Sequence, residues 1–100
     1  PPFSRLVLLR FDGENAARVE ETAREALAVA RAAAAEVQIL GPAPAPLERV
    51  RKRYQWQLLL RARQGRAVRN AAARVRDELR PVARRRGVRL LVDVDPYSML

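Results

Sequence analysis

The side chains best suited to chemistry in this 100-residue chain are arginines that recur at helical spacing between residues 66 and 84. At about 100° per residue on a helix, they fall within an arc of roughly 80° beside an apolar stripe. These residues, which we call the arginine ridge, are Arg66, Arg69, Arg76, Arg80 and, if the helix extends to it, Arg84. A guanidinium group donates two parallel hydrogen bonds to a phosphate or a carboxylate. The spacing therefore favours an anion-binding surface.

Two further clusters of basic residues flank the ridge in the sequence. The first precedes two aromatic residues, and the second begins at the last ridge residue. The clusters are Arg49, Arg51, Lys52 and Arg53, and Arg84, Arg85 and Arg86. Basic residues interleaved with Tyr54 and Trp56 are typical of single-strand-binding surfaces, where a ring stacks on a base with about 1–3 kcal/mol. Trp56 also alternates in phase with Leu58 and Leu60, so the alternative to base stacking is that Trp56 packs in the core. Tyr54 is then the better stacking candidate.

Charge is unevenly distributed along the chain. Residues 1–48 have a net charge of −2 and residues 49–100 a net charge of +11, within a total of +9 and a pI near 11.6. The ridge has an alternative interpretation as a solvated helix face that Asp77 and Glu78 partly neutralise. Genomic base composition can also enrich arginine, but it does not explain the asymmetry. We expect a polyanionic partner, with nucleic acid first.

Enzyme chemistry has little support in this sequence. The absence of Cys and His excludes disulfides, thiolate zinc sites, a cysteine nucleophile and an imidazole base, and it allows a reducing, cytoplasmic setting. Asp93 and Asp95 lie two residues apart near the end of a predicted strand, so their side chains point to the same face. We favour a structural role for this pair over a weak cation site or partner site. No Gly-rich phosphate loop and no run of about 18 apolar residues occurs. We expect no catalytic residue, no metal, no cofactor and no membrane partner.

The elements that position these side chains are predicted in the order β-α-β-β-α-β. Strands are predicted at 5–11, 36–40, 53–61 and 88–94, and helices from Asp12 to about Ala35 and from about Gln64 to Arg80. Asp12 is expected to cap the first helix, with Glu14 in its first turn. The prolines of 41–46 are expected to end the second strand and open a connector at 41–52. Pro81 is expected to end the second helix.

This order predicts an α+β fold of the ferredoxin-like, split β-α-β type. Right-handed crossovers place both helices on one face of a four-stranded antiparallel sheet and leave the other face open. A chain of this length is expected to form a single domain over residues 1–100.

Three motifs give the chain a close resemblance to a known family. They are residues 41–47 (GPAPAPL), 53–60 (RYQWQLLL) and 87–96 (GVRLLVDVDP), and the opening from Pro2 to Arg10 also fits. Together, in this order, they resemble the carboxy-terminal domain of the PriA family, the bacterial primosomal protein N′. The resemblance covers nearly the whole chain.

The resemblance implies a DNA-binding and partner-docking domain of a replication-restart helicase that recognises branched or fork DNA during primosome assembly. Proteins like PriA are ATP-dependent 3′-5′ DNA helicases, whose ATP, Mg and zinc sites lie upstream of this domain. Partners implied are DNA, other parts of the parent helicase, other primosome proteins and the acidic tail of single-stranded-DNA-binding protein (SSB). The implied location is the bacterial cytoplasm, in association with the nucleoid.

The SSB-tail pocket of that family takes a basic and a polar residue from the start of the second helix. Here Gly65 falls at or beside the first position with Arg66 next to it, and Arg69 fills the second. Arg66 and Arg69 are therefore the candidates for this pocket. Two other function classes stay open: a free-standing RNA-binding or ribosome-associated domain of the same topology, and a protein-interaction adaptor for acidic tails.

Overall fold

The computed structural model describes residues 5–45 and 53–95 of the chain. The predicted order of elements is confirmed. The elements are β1 (Arg5–Gly13), α1 (Ala16–Ala33), β2 (Gln38–Pro44), β3 (Tyr54–Ala62), α2 (Gly65–Arg85) and β4 (Val88–Val94).

The four strands form one antiparallel sheet in the order β2-β3-β1-β4. Phe11 of β1 lies opposite Trp56 of β3 on one side and Leu90 of β4 on the other. The α+β ferredoxin-like fold is therefore confirmed. Because β4 pairs only with β1, its other edge has no neighbouring strand in the described part of the chain.

The hydrophobic core lies between the sheet and the two helices. Alternate residues of the central strands are fully buried there, because side chains of a strand point to opposite faces. The sheet contributes Val7, Leu9, Phe11, Leu58 and Leu60, and α2 contributes the stripe Val68, Ala71, Ala72, Val75, Leu79 and Ala83. Alanines occupy three of the six positions of this stripe, and the arginine ridge lies beside it on the same helix.

The expectation that prolines end the second strand at residue 41 is wrong. β2 continues to Pro44 through a cis Gly41-Pro42 bond, and its pairing with β3 shifts register between Leu40 and Ala43. The physical reason is its position at the sheet edge, where a proline can lack an N–H without breaking a ladder on both sides. The first four residues of the predicted connector therefore belong to β2.

The second helix also runs past its predicted end. α2 includes Pro81 in its interior and ends at Arg85, because Ala83 continues the buried stripe one turn beyond Leu79. Burial of that last turn outweighs the lost backbone hydrogen bond at Pro81, whose ring lies on the exposed side. Arg84 consequently lies on the helix, about one turn beyond the predicted helix end, and is a member of the arginine ridge.

Asp12 does not cap the first helix. Asn15 is the N-cap, and its side-chain oxygen accepts a hydrogen bond from the N–H of Arg18 at 3.0 Å. Asp12 lies inside β1 as a buried residue, and Glu14 precedes the helix rather than standing in its first turn. In this position Asp12 has two cationic partners, Arg53 immediately before β3 and Arg89 on β4.

Candidate nucleic-acid interface

The arginine ridge runs along α2 beside the free edge of β4. One guanidinium nitrogen of Arg80 donates to the backbone carbonyl of Leu90 at 3.1 Å, which fixes the helix and the strand edge together. From Arg66 to Arg84 the helix rises about 27 Å at 1.5 Å per residue. All five ridge residues lie on this one helix, so the structure brings them together as the sequence predicted.

Most of the ridge is open to solvent. Arg66, Arg76 and Arg84 are exposed, whereas Arg69 and Arg80 are half-buried. Among the described residues, no carboxylate lies within ion-pair distance of Arg66 or Arg84, and Arg76 pairs only with its neighbour Asp77 at 3.0 Å. Exposed pairs of this kind contribute little. The ridge therefore keeps cationic groups available for an external anion.

Two shallow cavities adjoin each other at the C-terminal half of the ridge. The first, about 300 Å³, is lined by Arg80, Arg84, Gly87, Val88, Arg89 and Leu90. The second, about 290 Å³, is lined by Arg76, Asp77, Arg80, Pro81 and Arg84. Arg80 and Arg84 line both, so these two ridge arginines connect the cavities at the corner between α2 and β4.

Two of the predicted basic residues are instead held by carboxylates of the protein. Arg86 is only 19% exposed and pairs with Glu25 of α1 at 2.8 Å, with Glu21 at 3.8 Å. Arg53 donates to the Asp12 carboxylate through Nε at 2.8 Å and through a second, shorter bond. Both arginines join elements of the fold, and the structure does not bring them to the ridge.

The remaining basic candidates divide between two places. Arg85 is exposed on the last turn of α2, about 100° around the helix axis from Arg84, and lines neither cavity. Arg49, Arg51 and Lys52 lie outside the described residues, so their contribution stays a prediction.

The two aromatic candidates for base stacking lie at the start of β3. Trp56 packs against the hydrophobic core while remaining partly exposed, and the guanidinium carbon of Arg24 lies 5.4 Å from its ring centroid. This cation–π contact occupies one ring face. Tyr54 is also partly exposed, opposite Gly13 of β1. Stacking stays a prediction for both, and at Trp56 it requires Arg24 to move.

The acidic pair near the end of β4 has structural contacts. The Asp93 carboxylate forms an ion pair with Arg10 at 2.8 Å, and the backbone N–H of Asp95 donates a hydrogen bond to the carbonyl of Leu6 at 3.1 Å. No group of three or more potential metal ligands occurs in residues 5–45 and 53–95. Within those same ranges, no helix has the length and apolar character needed to cross a bilayer.

Sequence reasoning missed Arg89 as a member of this surface. Arg89 lies on β4, lines the first cavity, and is oriented by a 3.3 Å contact with Asp12. Its position follows from the register that places it opposite Asp12. The alternation of exposed positions along β4 was visible, but the pairing register that places Arg89 opposite Asp12 at the border of this cavity was not.

Comparisons of the fold with solved structures support the architecture. A de novo designed protein, Foldit4, aligns over 92% of this chain and 96% of its own with a TM-score of 0.68 and 11% identity. A hydantoinase/carbamoylase family amidase from Burkholderia ambifaria aligns over 92% of this chain with a TM-score of 0.63 and 16% identity. This chain spans only 27% of that amidase. At such identities the likeness shows the fold alone.

Comparisons of the sequence give a family. No curated protein sequence matches the chain. The family model of the primosomal protein N C-terminal domain matches residues 1–97 and so includes β1 to β4, both helices and the arginine ridge. The match covers the same motifs on which the resemblance to the PriA family rests. The chain belongs to the primosomal protein N C-terminal domain family.

Proposed function

We propose that this domain binds branched or fork DNA through the arginine ridge and acts in replication restart as the DNA-binding and docking module of a primosomal helicase. The single observation behind the proposal is the exposed ridge of α2 along the free edge of β4, with two adjoining cavities lined by its guanidinium groups. Such groups contact phosphate oxygens independently of base sequence, so the proposed interaction is mainly electrostatic.

The contrast between the two helices supports this assignment. On α1, Arg18 pairs with Glu21 and Arg24 pairs with Glu20 along the same helix. On the ridge, Arg66 and Arg84 have no such carboxylate among the described residues. The positive field is therefore concentrated on the α2 side of the molecule, where it attracts a polyanion and raises the association rate.

The start of α2 supports docking of the SSB acidic tail. Gln64 is the N-cap but makes no side-chain capping bond, so the first-turn N–H groups lack that partner. A helix N-terminus favours negative charge. Arg66 is exposed on this turn and Arg69 follows one turn later. We propose that an acidic peptide binds here, at the opposite end of the ridge from the two cavities.

The wider role is part of the same proposal. As a member of its family, this domain acts beside ATP-dependent motor and zinc-binding parts of the parent helicase, in the bacterial cytoplasm and on the nucleoid. Other primosome proteins are its further partners. The domain itself contributes DNA and partner binding, and its parent contributes the helicase activity.

Charge reversal on the ridge tests the proposal. We compare Arg66→Glu/Arg76→Glu/Arg84→Glu with a control of identical net charge, Arg31→Glu/Arg74→Glu/Arg85→Glu. All six residues are exposed. Affinity for a labelled fork DNA should fall at least a hundredfold in the ridge variant, because three phosphate contacts become repulsions, and far less in the control. Equal losses in the two variants, both folded by circular dichroism, would contradict a ridge-specific interface.

Competition experiments separate the two other function classes. Structured RNA that displaces fork DNA at lower concentrations than fork DNA itself would favour an RNA-binding domain. An acidic peptide that binds the native chain while fork DNA does not would favour an adaptor. The proposed function requires fork DNA to be the stronger ligand of the native chain and to lose affinity in the ridge variant.

A further inference from the structure

The cavity between the last turn of α2 and the beginning of β4 has the composition of a discrete anion pocket. Two guanidinium-bearing residues of α2, Arg80 and Arg84, line it, and no carboxylate residue is among its lining residues. Arg89 also borders it, but its side chain alternates with those of the buried Val88 and Leu90 and contacts Asp12 on the other face of the sheet. The neighbouring cavity differs in this respect, because Asp77 lines it and pairs with Arg76. Of the two, the first cavity is the better site for a negatively charged group.

One of these arginines is already oriented by the protein. Arg80 donates to the carbonyl of Leu90 at 3.1 Å. This contact leaves other guanidinium N–H groups for a ligand, because a guanidinium has five donors. Arg84 is exposed and keeps its full set of donors among the described residues. A ligand therefore meets one positioned cation and one adaptable cation.

The edge of β4 adds backbone donors to the same pocket. The Asp95 N–H donates to Leu6, which makes these opposite residues a hydrogen-bonded pair. Because such pairs alternate in an antiparallel ladder, Arg89 and Leu91 also bond toward β1. Val88 and Leu90 then direct their N–H groups to the free edge, where both residues line the cavity. Backbone N–H groups are frequent phosphate ligands.

Three carbonyls in the last turn of α2, which would repel an anion, accept hydrogen bonds from the chain itself. The Arg86 N–H donates to the carbonyls of Val82 and Ala83 at 3.2 and 3.0 Å, and the Gly87 N–H donates to Arg84 at 3.3 Å. Gly87 has a φ of 70°, and a Cβ at this position would meet no atom within 4 Å. The turn thus closes the helix while adding no side chain to the rim of the pocket.

We propose that this pocket binds one phosphate of a nucleic-acid backbone, held by Arg80 and Arg84 and by the Val88 N–H. The inference rests on the proposed function and deepens it, because it names one contact point within a longer interface. Arg84 makes the main ligand-dependent contact, and Arg80 shapes the pocket in advance. The recognised chemistry is a tetrahedral oxyanion, whose source is a DNA strand rather than the free ion.

A pair of adjacent substitutions tests the pocket. Arg84→Glu and Arg85→Glu affect adjacent residues in the last turn of α2 and change the net charge by the same amount. Of these two residues, only Arg84 lines the cavity. With fork DNA we expect Arg84→Glu to lower affinity about tenfold or more, through loss of a charge-assisted hydrogen bond and added repulsion. Arg85→Glu should lower it about twofold, through screened long-range charge alone. Equal losses in the two folded variants would overturn the pocket.

Nuclear magnetic resonance identifies the source of the phosphate. A fork DNA should shift the Val88 amide and the Arg84 Nε–H signals of the native chain at micromolar concentrations, and inorganic phosphate should shift the same signals only at far higher concentrations. Saturation by inorganic phosphate at concentrations below those of DNA would overturn the nucleic-acid assignment. An unmoved Val88 amide in the DNA complex would overturn the pocket itself.

The two proposals fail differently. If fork DNA binds, and the ridge triple variant weakens it while Arg84→Glu and Arg85→Glu are equivalent, the pocket is wrong and the DNA-binding ridge stands. If the native chain does not bind fork DNA, the proposed function fails, whatever inorganic phosphate does at the pocket.

Discussion

The carboxylate of Asp12 joins the ends of three strands, and its main partner is Arg53. Asp12 on β1 accepts hydrogen bonds from Nε and Nη2 of Arg53, the first at 2.8 Å, and Arg89 of β4 approaches its other oxygen at 3.3 Å. Asp12 is only 8% exposed. A buried carboxylate that is balanced by two guanidinium groups fixes the sheet at the end nearest the first cavity.

Replacing this carboxylate should destabilise the fold. We expect Asp12→Asn to lower the free energy of unfolding at pH 7 by about 2–3 kcal/mol, because two charge-assisted hydrogen bonds are weakened in a buried setting. Urea unfolding of the native chain and the variant measures the difference. Asp93→Asn is the control, since Asp93 is exposed and its pair with Arg10 should contribute under about 1 kcal/mol.

The stabilisation by Asp12 should depend on pH in a defined direction. Burial raises the pKa of Asp12, but hydrogen bonds and charges from Arg53 and Arg89 together outweigh it and hold the pKa below 3.8. A lowered pKa in the folded state gives stability that is complete above the unfolded value and is lost as pH falls through the folded value. The difference between native chain and Asp12→Asn should thus shrink below about pH 4. A difference that stays constant down to pH 2 would contradict this assignment.

Arg86 should matter for stability rather than for DNA binding. It joins the end of α2 to Glu25 of α1 at 2.8 Å and to the Thr22 hydroxyl at 3.2 Å. We expect Arg86→Ala to lower the free energy of unfolding by about 1–3 kcal/mol and Tm by about 4–8 °C per kcal/mol. Arg85→Ala, at an exposed neighbour, should change it by less than about 0.5 kcal/mol. Similar melting temperatures for the two variants would show that the inter-helix contact contributes nothing.

Pro81 should lower the stability of the fold relative to an alanine at the same position of α2. Its side chain is exposed inside α2, so Pro81→Ala loses no core packing and restores a backbone hydrogen bond. We expect the free energy of unfolding to rise by about 1–3 kcal/mol. Thermal unfolding by circular dichroism measures the change. A lower melting temperature would mean that the proline ring makes a necessary contact.

Arg24 should shield Trp56, the single tryptophan of the chain. Removing the guanidinium in Arg24→Ala opens one ring face, so acrylamide should quench Trp56 fluorescence more strongly than in the native chain. Arg31→Ala, an exposed position on the same helix, serves as the control. If a single-stranded oligonucleotide stacks on this ring, its quenching of Trp56 should also increase in Arg24→Ala. Unchanged acrylamide quenching would show that Arg24 does not cover the ring.

Periodicity and turn chemistry predicted the fold because local and global signals agree for most elements. β4 begins at Val88 and ends at Val94 as predicted, since Gly87 and Asp95-Pro96 mark its ends. Predictions failed where tertiary contacts outweigh local preference. Pro42 is accommodated by an edge position, Pro81 by burial of the following turn, and Asp12 by two cations, one immediately before β3 and one on β4.

The candidate site was predictable only in part, for the same reason. Helical spacing was sufficient to place Arg66 and Arg84 on one ridge, because the geometry is internal to one element. The separation of Arg85 and Arg86 from that ridge depends on helix length and on the Glu25 carboxylate of α1. The participation of Arg89 depends on strand register. Contacts between elements distant in sequence are not encoded in local periodicity.

The salt dependence of fork-DNA binding tests the central claim most directly. If the ridge and its neighbours neutralise four to six phosphates, the logarithm of affinity should fall with the logarithm of salt concentration with a slope of roughly −4 to −5. Arg66→Gln/Arg76→Gln/Arg84→Gln should reduce the magnitude of this slope by about 2–3, because each lost contact removes about 0.9. A slope near −1 in the native chain, or the same slope in both proteins, would contradict binding of DNA through the arginine ridge.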